Sequence, residues 1–108
     1  MLRHVILWQM KDELTAEERD RSKKAIKEAL EELAGVIPGL LEIHVITEPL
    51  PSSNADLYLD SLFKDEAALK VYADHPAHVK VKDELVVPNV KSRMCMDYTV
   101  ESCSERIS

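Results

Sequence analysis

The segment Leu2 to Met10, LRHVILWQM, is apolar on both of its alternating faces, and this restricts the fold more than any other feature of the chain. A strand sends successive side chains to opposite sides, so its two sets are Leu2, His4, Ile6, Trp8, Met10 and Arg3, Val5, Leu7, Gln9. A sheet packed on one side only alternates cleanly between apolar and polar residues. Here both sets are mostly apolar, which calls for cover on both faces. A single layer of helices supplies only one of the two.

Helices and strands then follow in a readable order. Thr15-Ala16-Glu17-Glu18 is a capping box, in which the Thr15 hydroxyl and the Glu18 carboxylate satisfy free N–H groups at a helix start. The spacing of Ser22, Ala25, Ile26, Ala29, Leu30 and Leu33 predicts a helix to about Ala34 lying on a sheet, with its charge-rich face in solvent. Gly35 is the expected C-cap and Pro38 the stop. Strands are expected over Leu40 to Thr47, Asp56 to Phe63 and Ser92 to Val100, and Asp65 caps a short helix carrying Ala68, Leu69, Val71 and Tyr72. After Pro76 a further helical turn or two ends before Pro88. The result is β-α-β-β-α-β, an α+β ferredoxin-like subunit with one four-stranded antiparallel sheet. Its uncovered face needs a partner, and a second copy of the chain is the simplest, since most soluble oligomers are homo-oligomers and two-fold dimers the commonest. On that face Arg3, Gln9, Glu42, His44, Tyr58, Asp60 and Asp97 are read as a polar interior between subunits, with Val5 and Leu7 among them.

Composition narrows the function. With 108 residues, 31% of them charged and 45% hydrophobic, the chain has the profile of one globular domain over 1–100, followed by a polar tail at 101–108 read as mobile. No apolar run approaches a membrane span, and the start carries Arg3 and His4 inside a short apolar run, so a strand is expected in place of a signal peptide and a cytoplasmic location follows. A net charge of -6, with bases interleaved among acids, excludes a nucleic-acid surface. Of the two cysteines, Cys95 falls in a strand and Cys103 in the tail, and no disulfide between them is expected.

The chemistry concentrates in Tyr72-Ala73-Asp74-His75-Pro76-Ala77-His78. Pro76 breaks the helical pattern, placing His75 in the joint and His78 one turn into the next segment, so that both can face one cavity. His75 can equally satisfy backbone groups at a helix start, and Tyr72 can be core filler. Three histidines, His4, His75 and His78, without a spaced Cys or Glu make no recognisable zinc pattern, so neither metal nor cofactor is expected.

On the residues His4-Val5-Ile6-Leu7, Ile37-Pro38-Gly39-Leu40, His75-Pro76-Ala77-His78 and Asp97-Tyr98, the sequence resembles the stress-responsive A/B barrel family of dimeric α+β barrels. The resemblance implies subunits that dimerise through their sheets. It also implies a site, because a plant polyketide cyclase of the family, which works by aldol condensation without metal or organic cofactor, has its catalytic tyrosine and histidine at Tyr72 and His78 and a pocket histidine at His4. Ile6 and Trp8 share the His4 face and are expected to bind substrate, with His75 beside them. That cyclase carries aromatic pocket residues on its first helix, whereas Thr15 to Ala34 here has none, so a different substrate is implied. Two readings stand: a cofactor-free lyase or cyclase acting on a keto or phenolic small molecule, and a ligand-binding or stress-protective dimer without turnover.

Overall fold

The computed structural model describes residues 1–101. Its elements are β1 (Leu2–Met10), α1 (Ala16–Glu31), β2 (Leu40–Ile46), β3 (Leu57–Phe63), α2 (Glu66–Asp74), α3 (Pro76–Val81), a single π-helical turn (Lys82–Val86) and β4 (Val90–Thr99). The strands form one four-stranded sheet in the order β2-β3-β1-β4, with every pairing antiparallel. This is the ferredoxin-like arrangement expected from the element order. The helices cover one face, and the core lies between: Ile6, Trp8 and Met10 from β1, Ile26 and Leu30 from α1, Val45, Leu57, Leu59 and Phe63 from the central and outer strands, and Tyr72 from α2.

The capping box forms as the sequence predicts, with Glu18 N–H donating to Thr15 Oγ1 and Thr15 N–H to Glu18 Oε1. Helix α1 nevertheless ends at Glu31, earlier than its apolar period implies, and residues 32–36 close it in turns with Gly35 at φ +86°. Nor is its charged face wholly solvated. Lys27 Nζ donates to Val45 O at 2.8 Å and Glu31 Oε2 accepts from Val45 N–H at 2.9 Å, so an i,i+4 ion pair occupies the open edge of β2. The Lys27 ammonium and the Val45 amide outweigh burial and hold the Glu31 carboxyl below its usual range.

One strand faces differently from the expectation. The register sets His4 opposite Asp97 and Ile6 opposite Cys95, which places Cys95 and Asp97 on the helix-covered face, while Met94, Met96 and Tyr98 lie on the open face with Val5 and Leu7. Asp97 therefore does not belong with Arg3 and Asp60, which pair on the open side at 2.8 Å. The apolar residues of β4 went outward because the open face is itself largely apolar: Leu7, Met94, Met96 and Tyr98 are 38%, 70%, 66% and 43% exposed. Cys103 and the rest of the tail after Glu101 lie outside the described residues.

Gly39 shows how closely the helices seat on the sheet. It has φ +83°, and a Cβ there would stand 2.5 Å from the Ala68 Cβ of α2. Gly35, also at positive φ, would meet nothing within 4 Å. Gly39→Ala is accordingly expected to destabilise by about 2–4 kcal/mol, combining left-handed backbone strain with overpacking, and Gly35→Ala by about 1–2 kcal/mol from strain alone. Chemical denaturation of the two variants checks this, and equal losses would show that the α2 contact yields.

Candidate functional site

Between the sheet and the helices lies a cavity of about 510 Å³, walled by Ile6, Trp8, Leu30, Leu59 and Val86 and reached by His4, Tyr72 and His78. Strand alternation delivers His4, Ile6 and Trp8 to it from β1. Tyr72 comes from the last turn of α2 and His78 from the first turn of α3. The break between those helices fixes their relation: His75 takes an extended conformation (φ -66°, ψ 132°), and Pro76 opens α3 where a missing N–H leaves no bond unmade. The chain thus turns back upon itself, and the Tyr72 and His78 rings stack at 4.0 Å between centroids, tilted by 31°.

Each imidazole has one nitrogen committed. His4 Nδ1 lies 2.5 Å from Asp97 Oδ1 and donates to that carboxylate, which leaves Nε2 unprotonated in the neutral ring. His78 Nδ1 donates to Ala73 O at 3.3 Å, and its Nε2 is likewise left as the basic atom. Burial, aided by the nearby charges of Lys82, His4 and Arg93, pushes the His78 pKa below its ordinary value and prevails over the Ala73 bond. At neutral pH the ring is an uncharged base. His4 itself is buried, its ring edge-on to Tyr72 at 6.3 Å and to Phe63 at 6.1 Å, and Ser61 Oγ donates to its backbone oxygen at 3.1 Å.

Tyr72 is 2% exposed, and its hydroxyl is the buried side-chain polar atom among the described residues that has no hydrogen-bond partner. Burial, opposed only by Arg93, raises its pKa, so the hydroxyl stays protonated as a donor across the physiological range. An unpaired buried hydroxyl loses its hydration without return, which in a native fold calls for an explanation.

Of the six residues singled out from the sequence, five meet in this cavity: His4, Ile6, Trp8, Tyr72 and His78. His75 does not. Its Nδ1 accepts from Ala77 N–H at 3.1 Å and caps α3, the structural role open to it at a helix start. Sequence reasoning missed Asp97, Lys82 and Arg93. Only pairing with β1 shows that Arg93 stands opposite Trp8 and Asp97 opposite His4, although Lys82, four residues after His78, was within reach of helical spacing.

Among the described residues, His4, Cys95 and Asp97 are the group whose donor atoms lie close enough to hold a metal ion, within 4.8 Å of one another. His4 Nδ1 and Asp97 Oδ1 are hydrogen-bonded to each other, closer than two ligands of one ion. Two ligands of one tetrahedral ion stand about 3.3 Å apart, so a metal would have to spread that pair. The Cys95 thiol, 3.6 Å from Asp97 Oδ1, has its pKa raised by burial and by that carboxylate. It remains a thiol, a poor ligand until deprotonated.

The fold is shared with several solved structures. A dimeric protein of unknown function with a ferredoxin-like fold from Bacteroides fragilis is 29% identical, with a TM-score of 0.86 over 92% of this chain and 95% of that one. A Dabb family protein from Mesorhizobium loti is 25% identical, with a TM-score of 0.71 over 94% and 97%. The hydroxynitrile lyase of Passiflora edulis, at 16% identity, shares the fold with a TM-score of 0.75 over 95% of each chain. Among curated proteins none matches the sequence. The model of the stress responsive A/B barrel domain matches residues 2–100, the whole extent of the sheet and its helices, and the chain belongs to that family.

Proposed function

We propose that this protein is a homodimer, joined through its open sheet faces, that binds a small keto or phenolic compound and acts on it as a lyase or cyclase, making or breaking a carbon–carbon bond beside a carbonyl. The observation that carries this reading is the buried, unpartnered hydroxyl of Tyr72, whose ring is flanked by two imidazoles with their Nδ1 protons each committed elsewhere. A turn of the Tyr72 side chain that brings this hydroxyl to the cavity surface lets a carbonyl oxygen of a bound ligand satisfy the donor. His78 Nε2 takes the proton from the adjacent carbon, the electron pair moves onto the carbonyl oxygen, and the Tyr72 hydroxyl stabilises the charge that develops there. His4, held by Asp97, presents a second Nε2 for orienting the ligand or relaying the proton. The dimer is supported by the apolar open face and by a similar structure described as dimeric.

The pH dependence tests the assignment. Exchange of the α-protons of an enolisable ketone with solvent, followed by NMR, is expected to rise with pH through a midpoint below the ordinary histidine value of 6.5, because protonation silences a base whose pKa is lowered. It should then stay level up to pH 10, since the Tyr72 proton is lost only above the ordinary tyrosine value of 10.0. A midpoint well above 6.5 would exclude His78 as the base. No exchange at any pH with a ketone that binds would leave a ligand-binding dimer without turnover.

A further inference from the structure

The cavity that this reading uses has a second chemical character at its mouth. Its apolar walls, Ile6, Trp8, Leu30 and Leu59, are buried, whereas Lys82, Lys91 and Arg93, which also line it, are exposed. No carboxylate is among the lining residues, in a chain whose net charge is -6. Cations gathered without acids in an acidic protein call for a reason, since like charges repel and scattered pairing is the usual outcome.

Two of these cations have no ion pair. Lys91 Nζ is paired with Asp12 at 2.8 Å, whereas Lys82 and Arg93 have no ion pair among the described residues. Arg93 meets the neutral thiol of Cys95. The carboxylate nearest along its own strand face, Asp97, is taken by His4. Placement brings the two cations to the reacting groups: Arg93 is set on the cavity face by its register opposite Trp8, and Lys82 follows His78 by one turn, where the helix widens into the π-turn. Such π-turns recur at functional sites, where they re-aim side chains. Their field is felt inside, since both help to depress the His78 pKa.

We infer that the ligand of this cavity is an amphipathic carboxylic acid, with its apolar chain against Ile6, Trp8, Leu30 and Leu59 and its carboxylate held between Lys82 and Arg93. A guanidinium matches a planar carboxylate with two parallel hydrogen bonds, and the lysine adds a point charge. This rests on the cavity being the ligand site, as proposed above, and does not depend on turnover. It narrows the substrate class from any keto or phenolic compound to those carrying an acid group at one end of an apolar body.

Trp8 supplies the readout, being the single tryptophan of the chain and part of the cavity wall. Octanoate and its neutral isostere octanamide are titrated against the dimeric protein at low ionic strength, following Trp8 fluorescence. Octanoate is expected to bind about ten- to a hundredfold more tightly, the usual worth of hydrogen bonds to charged groups. That preference should vanish in Lys82→Gln/Arg93→Gln, survive in Lys82→Arg, and shrink in the unaltered protein at about 1 M salt, where exposed charges are screened beyond about 3 Å. The salt arm holds the test should the double variant fail to fold. Equal binding of acid and amide, or a preference that persists in the folded double variant, overturns the inference. Absence of any Trp8 response to either compound overturns it together with the ligand site. Because octanoate is no ketone, the two proposals fail separately: acid preference without α-proton exchange leaves this one standing and rejects the catalytic one, and exchange of a neutral ketone without acid preference does the reverse.

Discussion

In the folded protein, His78→Ala is expected to slow α-proton exchange of a bound enolisable ketone by about two to four orders of magnitude, the range for loss of a positioned general base. Tyr72→Phe should reduce the rate less, since a donor is lost but the base remains. Stability separates catalysis from mere packing in that second variant. The Tyr72 hydroxyl is buried without a partner, so removing it leaves the ring contacts with Phe63 and His78 in place and ends an unmet desolvation. Tyr72→Phe should therefore melt at the same temperature as the parent or higher while exchange falls. Were the pair a structural network instead, Tyr72→Phe would melt lower, and His78→Ala would keep its exchange rate or unfold.

The second large effect concerns assembly. Met96→Glu is expected to weaken the dimer by a thousandfold or more in dissociation constant, because two-fold symmetry buries two unpaired carboxylates per dimer, each at about 3–5 kcal/mol. Met96 lies beside Val5 on the open face and is 66% exposed in the single subunit, so the subunit itself should keep its fold. Sedimentation of parent and variant at micromolar concentration decides the matter. A parent that runs as a monomer, or a variant that stays dimeric, would place the contact elsewhere. The cavity lies on the opposite side of the sheet from Met96, so the monomeric variant should still bind ligand.

How much of this was legible beforehand differs between fold and site. The strand and helix order follows from local chemistry: the Thr15-Glu18 box, the Asp65 cap and the break at Pro76 each act within one turn of chain and form where the residues call for them, while the apolar period of α1 gives its buried side although the helix stops short at Glu31. The sheet order then follows from the topology. The double-sided apolar character of Leu2–Met10 likewise matches a sheet whose open face is itself largely apolar.

Facing in β4 was decided elsewhere. With Met94, Met96 and Tyr98 on one side and Cys95, Asp97 and Thr99 on the other, its pattern favours sending the apolar set to the core and Asp97 away from it. Hydrophobic alternation distinguishes inside from outside only where one face is solvent. Here the outer face is also apolar, and the register with β1 resolved the choice, sending Asp97 to His4 and Arg93 to the mouth of the cavity. His75 shows the same limit. Its neighbourhood announces a functional joint, yet a 3.1 Å bond to Ala77 N–H makes it a cap, and whether an imidazole turns to its own backbone or to a cavity depends on a single side-chain rotation. Spacing along the chain therefore determined the elements, their order and the shared face of His4, Ile6 and Trp8, whereas the grouping of Tyr72 and His78 with them was implied by the family resemblance. The Asp97 partner of His4, the unpaired Tyr72 hydroxyl and the two cations without an ion pair at the cavity are relations across strands and helices, fixed only when the chain closes on itself.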